Sequence, residues 1–424
     1  MKKKFNNKFV KIAVIGSGIS GLSASWLISN YYKVYLFEKK SYFGGHSNTQ
    51  IVYENNKEIA VDTGFIVFNE HNYPNLCKLF KSLNVKILET DMSFSVSRNN
   101  GELEYSGSGL SGIFAQKKNL VNKDFMLMLY EIIKFYKFNS QHSSGRKPET
   151  LSQFLNSNNY SDYFRYNHIY PMAASIWSSK LSDIANYPID KFVKFFNNHN
   201  LFNLFVRPKW RTVLGGSKQY VKKILNLKKI IPKKDISVEV LNRNTNQVTL
   251  LINGKKMFFD KLVIATHTDQ AITLLKDLTN DEKKILVNIK YSANKIYFHT
   301  DETLMPKNKK VWSSWNFLGN DSKKERLSVS YWMNNLQHLS TNQNYFVTLN
   351  PFKKPVDSKI IKIIDYSHPM FTFDSFKAQE ELKKIQGKNS TWFCGAYTGF
   401  GFHEDGIKSG LGVAEQILGK KRPW

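Results

Sequence analysis

Val10-Lys11-Ile12-Ala13-Val14-Ile15-Gly16-Ser17-Gly18-Ile19-Ser20-Gly21 is the stretch on which the reading of this chain turns. An apolar run of strand length leads into G-x-G-x-x-G, and Trp26-Leu27-Ile28 continue an amphipathic helix behind it. A second short strand, Lys33-Val34-Tyr35-Leu36-Phe37, ends at Glu38. This strand–turn–helix–strand order is the setting in which such glycines hold a dinucleotide. Gly16 allows the tight turn, Gly18 lets backbone approach a pyrophosphate, and Gly21 lets helix and strand pack closely. The helix N-terminus offers free N–H groups and the positive end of its dipole to phosphate. Glu38 is placed to accept from both ribose hydroxyls, with Ser17 and Lys39 flanking these contacts.

A second glycine loop decides which dinucleotide is expected. Phe43-Gly44-Gly45-His46-Ser47-Asn48-Thr49 follows, and then Ala60-Val61-Asp62-Thr63-Gly64-Phe65. At these residues the sequence resembles the flavoprotein amine oxidase superfamily, whose members carry an acid, then GG-x-x-x-(S/T), then a D-x-G turn. The resemblance implies FAD. It places Gly44, Gly45 and His46 along the pyrophosphate and ribityl chain, and the backbone of Gly64 and Phe65 along the flavin ring.

The far end of the chain agrees. Thr391-Trp392-Phe393-Cys394-Gly395-Ala396 reads as a buried strand ending in glycine. Tyr397 to Ile407 form a loop, and Ile407, Leu411, Ala414 and Leu418 fall on one face of a helix expected to start near Gly406. The resemblance sets Gly395, Asp405, Gly406 and Ile407 at the flavin's pyrimidine edge, where a helix N-terminus stabilises the charge of reduced flavin. Ala396 stands where the superfamily commonly has an acid that holds the ribityl chain. Three strands in the middle of the chain complete the set, near 235–240, 247–252 and 261–266. By resemblance, the Val240 backbone pairs with adenine, and Val263 to Ala265 run beneath the cofactor.

These residues imply an α/β fold: a Rossmann-like FAD-binding domain joined to a discontinuous substrate domain of mixed sheet and helices. The expected division is 1–65, 216–290 and 361–424 for the first, and 66–215 and 291–360 for the second. Residues 66–215 read as mostly helical, and Ser143 to Pro148 as a loop. A length of 424 residues with 42% hydrophobic and 14% aromatic content suits two domains with an aromatic-rich interior.

Cys77 and Cys394 are the only cysteines, which excludes a disulfide framework or a multi-cysteine metal site and fits a reducing, cytoplasmic compartment. Lys8 and Lys11 interrupt the N-terminal apolar run, so a signal peptide is not expected, and no stretch approaches transmembrane length. The formal charge is +27. A lysine-rich composition accounts for it blandly. Attraction to an anionic surface at the inner membrane face is the sharper reading. The lysines look scattered and no nucleic-acid motif is present, so a nucleic-acid partner is not expected.

Asp62 to Asn69, Arg207 to Ser217 and Gly399 to Gly406 resemble a bacterial branch of amine-oxidase-like flavoproteins associated with modification of unsaturated fatty acyl chains. The resemblance implies hydride removal from an apolar C–H, giving desaturation or isomerisation of a lipid. A flavin amine oxidase, a carotenoid or porphyrinogen desaturase and a non-catalytic flavoprotein stay open, and the electron acceptor is unassigned. For an amine oxidase, Tyr397 and Trp315 could supply an aromatic cage, although Trp315 suits a core better. His403 and Tyr397 are the candidate catalytic residues. His403 reads either as a proton carrier or as a ring that bonds its loop. Arg207 and Arg211 read either as a grip on an anionic head group or as an inter-domain ion pair. Glu404 and Asp405 also suit helix capping, and His46 and Cys394 are minor candidates for a covalent flavin link.

Overall fold

The computed structural model describes residues 10–141, 148–203, 208–320 and 328–424. Arg207 and most of the 143–148 loop lie outside these residues.

The run from Lys11 to Ile15 forms the central strand of a five-stranded parallel sheet. Its neighbours are Lys33–Phe37 on one side and Lys261–Ile264 on the other. Ile230–Lys233 and Thr391–Phe393 are the outer strands. A strand buried on both faces needs a continuous apolar run rather than alternation. Ile12 and Val14 accordingly point into one core, and Ala13 and Ile15 into the other. Chain order reverses at the central strand, so a crevice opens beyond its C-terminal end, where open α/β sheets take their ligands. The helix Ile19–Ser29 starts at that crevice and packs along the C-terminal helix His403–Leu418.

The second domain is built on a seven-stranded mixed sheet. Its order is Ile360–Pro369, Tyr291–His299, Phe346–Leu349, Ser328–Trp332, Trp315–Gly319, Phe94–Arg98 and Leu103–Ser106. Only the pair 94–98 with 315–319 runs parallel. The helices Lys123–Gln141, Tyr170–Trp177 and Ile189–Asn198 enclose an aromatic core against this sheet, with Phe125, Phe135, Phe164, Phe192 and Phe196 all fully buried.

Three expectations need correcting. Residues 361–369 belong to the seven-stranded sheet, because Ile360–Pro369 pairs antiparallel with Tyr291–His299 along its whole length. The return to the first domain therefore falls after Pro369. The segment 66–215 also carries strands, including Val67–Asn69, Ile87–Thr90 and Trp210–Val213, which form a small sheet of their own. The strand expected from Asp235 begins at Val238, because Asp235 turns the chain with φ of 57°. Among the described residues no helix is long and apolar enough to cross a membrane.

Candidate functional site

Gly16 ends the central strand with φ of 102°, and a Cβ there would stand 2.6 Å from the Ala265 carbonyl oxygen. A Cβ on Gly21 would stand 1.9 Å from the Gly16 carbonyl oxygen, so the helix reaches its close packing only with glycine. Gly18 differs: nothing lies within 4 Å of where its Cβ would be, so its face opens on the crevice. The helix behind it has no side-chain cap and no acid in its first turn, which leaves its N–H groups for an anion. Glu38 accepts from the Ser17 N–H at 3.0 Å and the Ser17 hydroxyl at 2.6 Å, and its other oxygen accepts from the Lys40 N–H. The carboxylate keeps spare lone pairs for ribose hydroxyls. Lys39 is exposed beside it.

The second glycine loop meets the first. The Gly44 N–H donates to the Ser17 carbonyl at 3.1 Å, and a Cβ on Gly45 would come 3.0 Å from the Gly18 Cα. Gly64 leaves room for the His46 carbonyl, which the Phe65 N–H then bonds at 2.8 Å. The Phe65 ring turns away and stacks on His403 at 3.7 Å, so Phe65 can offer the crevice only its backbone. Asp62, between these loops, is wholly buried. It accepts from Thr49, from the Ser217 N–H and hydroxyl, and from Gln337. Burial pushes its carboxyl up to about 6. It ties the second loop to the segment before the helix Lys218–Leu225.

At the C-terminal side, Ala265 bonds Ile15 and abuts Gly16, and Gly395 has no room for a side chain beside the Tyr397 ring. Val240 is buried in a core shared with Ala13, Ile15 and Ile264 of the parallel sheet, and its carbonyl accepts from the Lys276 N–H. The C-terminal helix starts at His403, one turn earlier than expected, because Asp405 reaches back to accept from the Phe400 and Phe402 N–H groups, both at 3.0 Å. Gly406 and Ile407 are therefore inside the helix, against Ile19 and Ser20, and not at its first free N–H groups. Glu404 bonds a different element: it accepts from the Asn75 and Leu76 N–H groups at the start of the helix Pro74–Ser82.

His403 shares its Nε2 with Ser47 at 2.9 Å and Tyr220 at 3.3 Å, and Ser47 also bonds Tyr220. Burial holds its imidazole down to about 3, so the ring is neutral at pH 7. Tyr397 packs in the core under the sheet with Ile264 and Phe393, and burial pushes its phenol far up. That placement removes it from an open cage. Trp315 is held in a different core, edge-on to Tyr331 at 4.9 Å. Cys394 is also fully buried, and burial pushes its thiol up. Arg211 pairs with Glu70 at 2.9 Å and lies 4.0 Å from Glu89, an ion pair within the segment 66–215 and not between the domains.

One group escaped sequence reasoning. His46, His267 and His368 come together with Tyr366 where the two domains meet. The His46 ring lies 4.5 Å from Tyr366, 5.1 Å from His368 and 6.5 Å from His267. His368 bonds Asn294 through Nδ1, and His267 stacks on Tyr291 at 4.3 Å. The His46 Nε2 is buried and has no hydrogen-bond partner within the protein. Burial, then mutual repulsion, lowers the pKa of His46, and the same order of causes takes His368 to about 4. Burial also lowers His267, with Asp269 opposing. The cluster is thus a polar but uncharged wall. Among the described residues no group of three His, Cys, Asp or Glu has the arrangement of a metal site.

A family model for an NAD(P)-binding Rossmann-like domain matches residues 14–83. Putrescine oxidase bound to putrescine superposes with a TM-score of 0.67 at 13% identity, covering 97% of this chain and 99% of its own. Cyclohexylamine oxidase from Brevibacterium oxydans IH-35A gives 0.65 at 13% identity, over 96% and 99%. A CLA-producing fatty acid isomerase from P. acnes gives 0.60 at 12% identity, over 96% and 98%. The chain has this amine-oxidase-like fold. Protein Ycf2 of Physcomitrium patens is 25% identical over an alignment that covers 88% of this chain, and the chain spans 16% of that protein's length.

Proposed function

We propose that the protein is an FAD-dependent oxidoreductase that removes a hydride from an apolar substrate, and that this substrate is an unsaturated fatty acyl chain. The observation that carries the cofactor is the meeting of two glycine loops over open space at the crevice, with Gly45 against Gly18 and no atom within 4 Å of a Gly18 Cβ. Gly18 and the N-terminus of the helix Ile19–Ser29 would hold the pyrophosphate, Glu38 the ribose, and the unpartnered His46 Nε2 a polar atom of the cofactor. When bound, the flavin supplies a hydride acceptor at N5, which needs a donor C–H about 3–3.5 Å away.

The surroundings favour an apolar donor over a cationic amine. Asp62, Glu404 and Asp405 are each already bonded to the chain, and Glu38 is assigned to the ribose, so these loops leave no carboxylate for an ammonium group. The histidine wall is neutral. Phe402 stacks on Phe195 at 5.1 Å and Phe400 lies edge-on to Phe376, which places apolar rings on this side. An allylic C–H suits such a site, because the adjacent alkene spreads the positive charge that develops as hydride leaves. The fatty acid isomerase of the same fold is a compatible relative.

The test is anaerobic mixing of the flavin-loaded protein with unsaturated lipids, followed by absorbance. Bleaching is expected, slowed by deuterium at the allylic position. Rapid bleaching by primary amines, with every lipid class inert, replaces this reading with amine oxidation.

A further inference from the structure

We infer that the helix Lys123–Gln141 and the turn before it form a docking face for an anionic lipid bilayer. The sequence already carries excess positive charge, but its lysines looked scattered. Folding concentrates some of them on one apolar surface.

The helix is apolar on both faces. Phe125, Met128, Ile132 and Phe135 face inward and are buried. At about 100° per residue, the opposite arc carries Met126, Leu127, Tyr130 and Ile133, with Lys123 at its start; Lys134, on the same arc, lies over the Tyr160 ring and donates to the Asn158 carbonyl. These four apolar side chains stand in solvent, Tyr130 with 62% of its surface exposed and Ile133 with 56%. The preceding turn, Lys117–Leu120, packs against the helix and adds Leu120 at 55% and Val121 at 84%, next to Lys117 and Lys118. No comparable run of exposed large apolar residues occurs elsewhere along the described chain.

Charge selects the occupant. The two acids of the helix lie off this arc. Glu131 is buried and accepts from the Ser161 N–H at 2.7 Å, and Asp124 sits in the first turn, beside the positive end of the dipole. The face therefore offers apolar side chains, with the ammonium groups of Lys117, Lys118 and Lys123 at its N-terminal end. Lysine stems can lie along acyl chains while their heads stay at the phosphate level, and an in-plane helix of this kind binds anionic interfaces. A length of 19 residues gives about 28 Å in the membrane plane. The net charge of +27 adds long-range attraction to the same surface. The docking reading does not depend on the flavin.

The test is co-sedimentation of the full chain with vesicles of phosphatidylcholine alone or mixed with phosphatidylglycerol. Binding is expected to the mixed vesicles only. It should weaken with salt as the screening length falls from about 10 Å at 0.1 M toward about 3 Å at 1 M. The variant Leu127→Ser, Tyr130→Ser, Ile133→Ser should bind about tenfold more weakly or worse. Removing lysines of a remote helix, as Lys222→Ala with Lys223→Ala, should change binding less than twofold. Circular dichroism and flavin content separate a folding defect or a failed cofactor reading from a lost docking face. Wild-type binding by the serine variant, which keeps every charge, would mean attraction by net charge alone. No vesicle binding, with self-association abolished by the helix variant, would assign the face to a second copy of the chain. Either result overturns the inference.

Discussion

At the scale of single residues, the crevice separates glycines that shape the fold from one whose face is left open. A side chain at Gly21 collides with backbone at 1.9 Å, whereas at Gly18 it meets nothing within 4 Å, and Gly18 has an ordinary φ of −65°. Gly18→Ala should leave the melting temperature of the cofactor-free protein unchanged within error and weaken FAD binding at least about tenfold, a loss of about 1.4 kcal/mol. Gly21→Ala should lower stability itself by about 1–3 kcal/mol. Paired thermal melts and FAD titrations check both, and equal stability losses would contradict the assignment. His403 is the second case. A general acid or base lost to alanine costs about 10²–10⁴ in rate. A ring held neutral between Ser47, Tyr220 and Phe65 acts instead by positioning, so His403→Ala should slow flavin reduction less than about tenfold while lowering stability. Stopped-flow bleaching decides, and a loss of a hundredfold or more would restore the proton-carrier role. The glycines and Glu38 were legible in sequence because their contacts are local and their spacing is rigid. The histidine wall was not: His46, His267 and His368 arrive from a loop, a strand exit and a strand of the other sheet.

At the scale of elements, the seam between the first and last helices is what sets the crevice. A Cβ on Gly410 would stand 2.1 Å from the Ser20 carbonyl oxygen, and one on Gly406 2.6 Å from Ile19. Two helices at either end of the sequence are therefore locked at glycine distance. Gly410→Val should cost more than about 2 kcal/mol and loosen FAD, although residue 410 does not face the crevice. Gly412, two residues on, has nothing within 4 Å of its Cβ position, so Gly412→Ala should stabilise by roughly 0.5–1 kcal/mol. Urea unfolding of the pair tests the seam, and similar effects at both positions would contradict it. Helix and strand identities were legible from periodicity here, but ends and partners were not. The C-terminal helix begins at His403 because Asp405 reaches back to two N–H groups, which spacing alone does not reveal. Ile360–Pro369 joins the far sheet because it matches Tyr291–His299 in length and register, which is a property of two distant segments.

At the scale of the whole molecule, buried histidines set the response to acid. Burial takes His168 and His403 to about 3, and His199, His299 and His368 to about 4. Kept neutral in the fold and protonated when unfolded, they give stability that is present above their ordinary 6.5 and is lost as the pH falls toward 4. Asp62 and Asp405 act in the opposite sense. Burial raises each from 3.8 to about 6, so their contribution is present below 3.8 and is lost as the pH rises through about 6. Five histidines outweigh two carboxyls, so stability should fall between about pH 6.5 and 4 by more than the 1.4 kcal/mol per pH unit of a single group, roughly. Denaturant titrations across that range measure it, and a flat or inverted slope would contradict the buried, neutral state of these rings.

The central claim is that the crevice holds FAD, and the spectrum and content of the purified protein test it most directly. The purified protein should be yellow, absorbing at ~450 nm, and its denaturation should release FAD and neither FMN nor NAD. A colourless protein that takes up no FAD on reconstitution, while wild-type folding is intact, would contradict it.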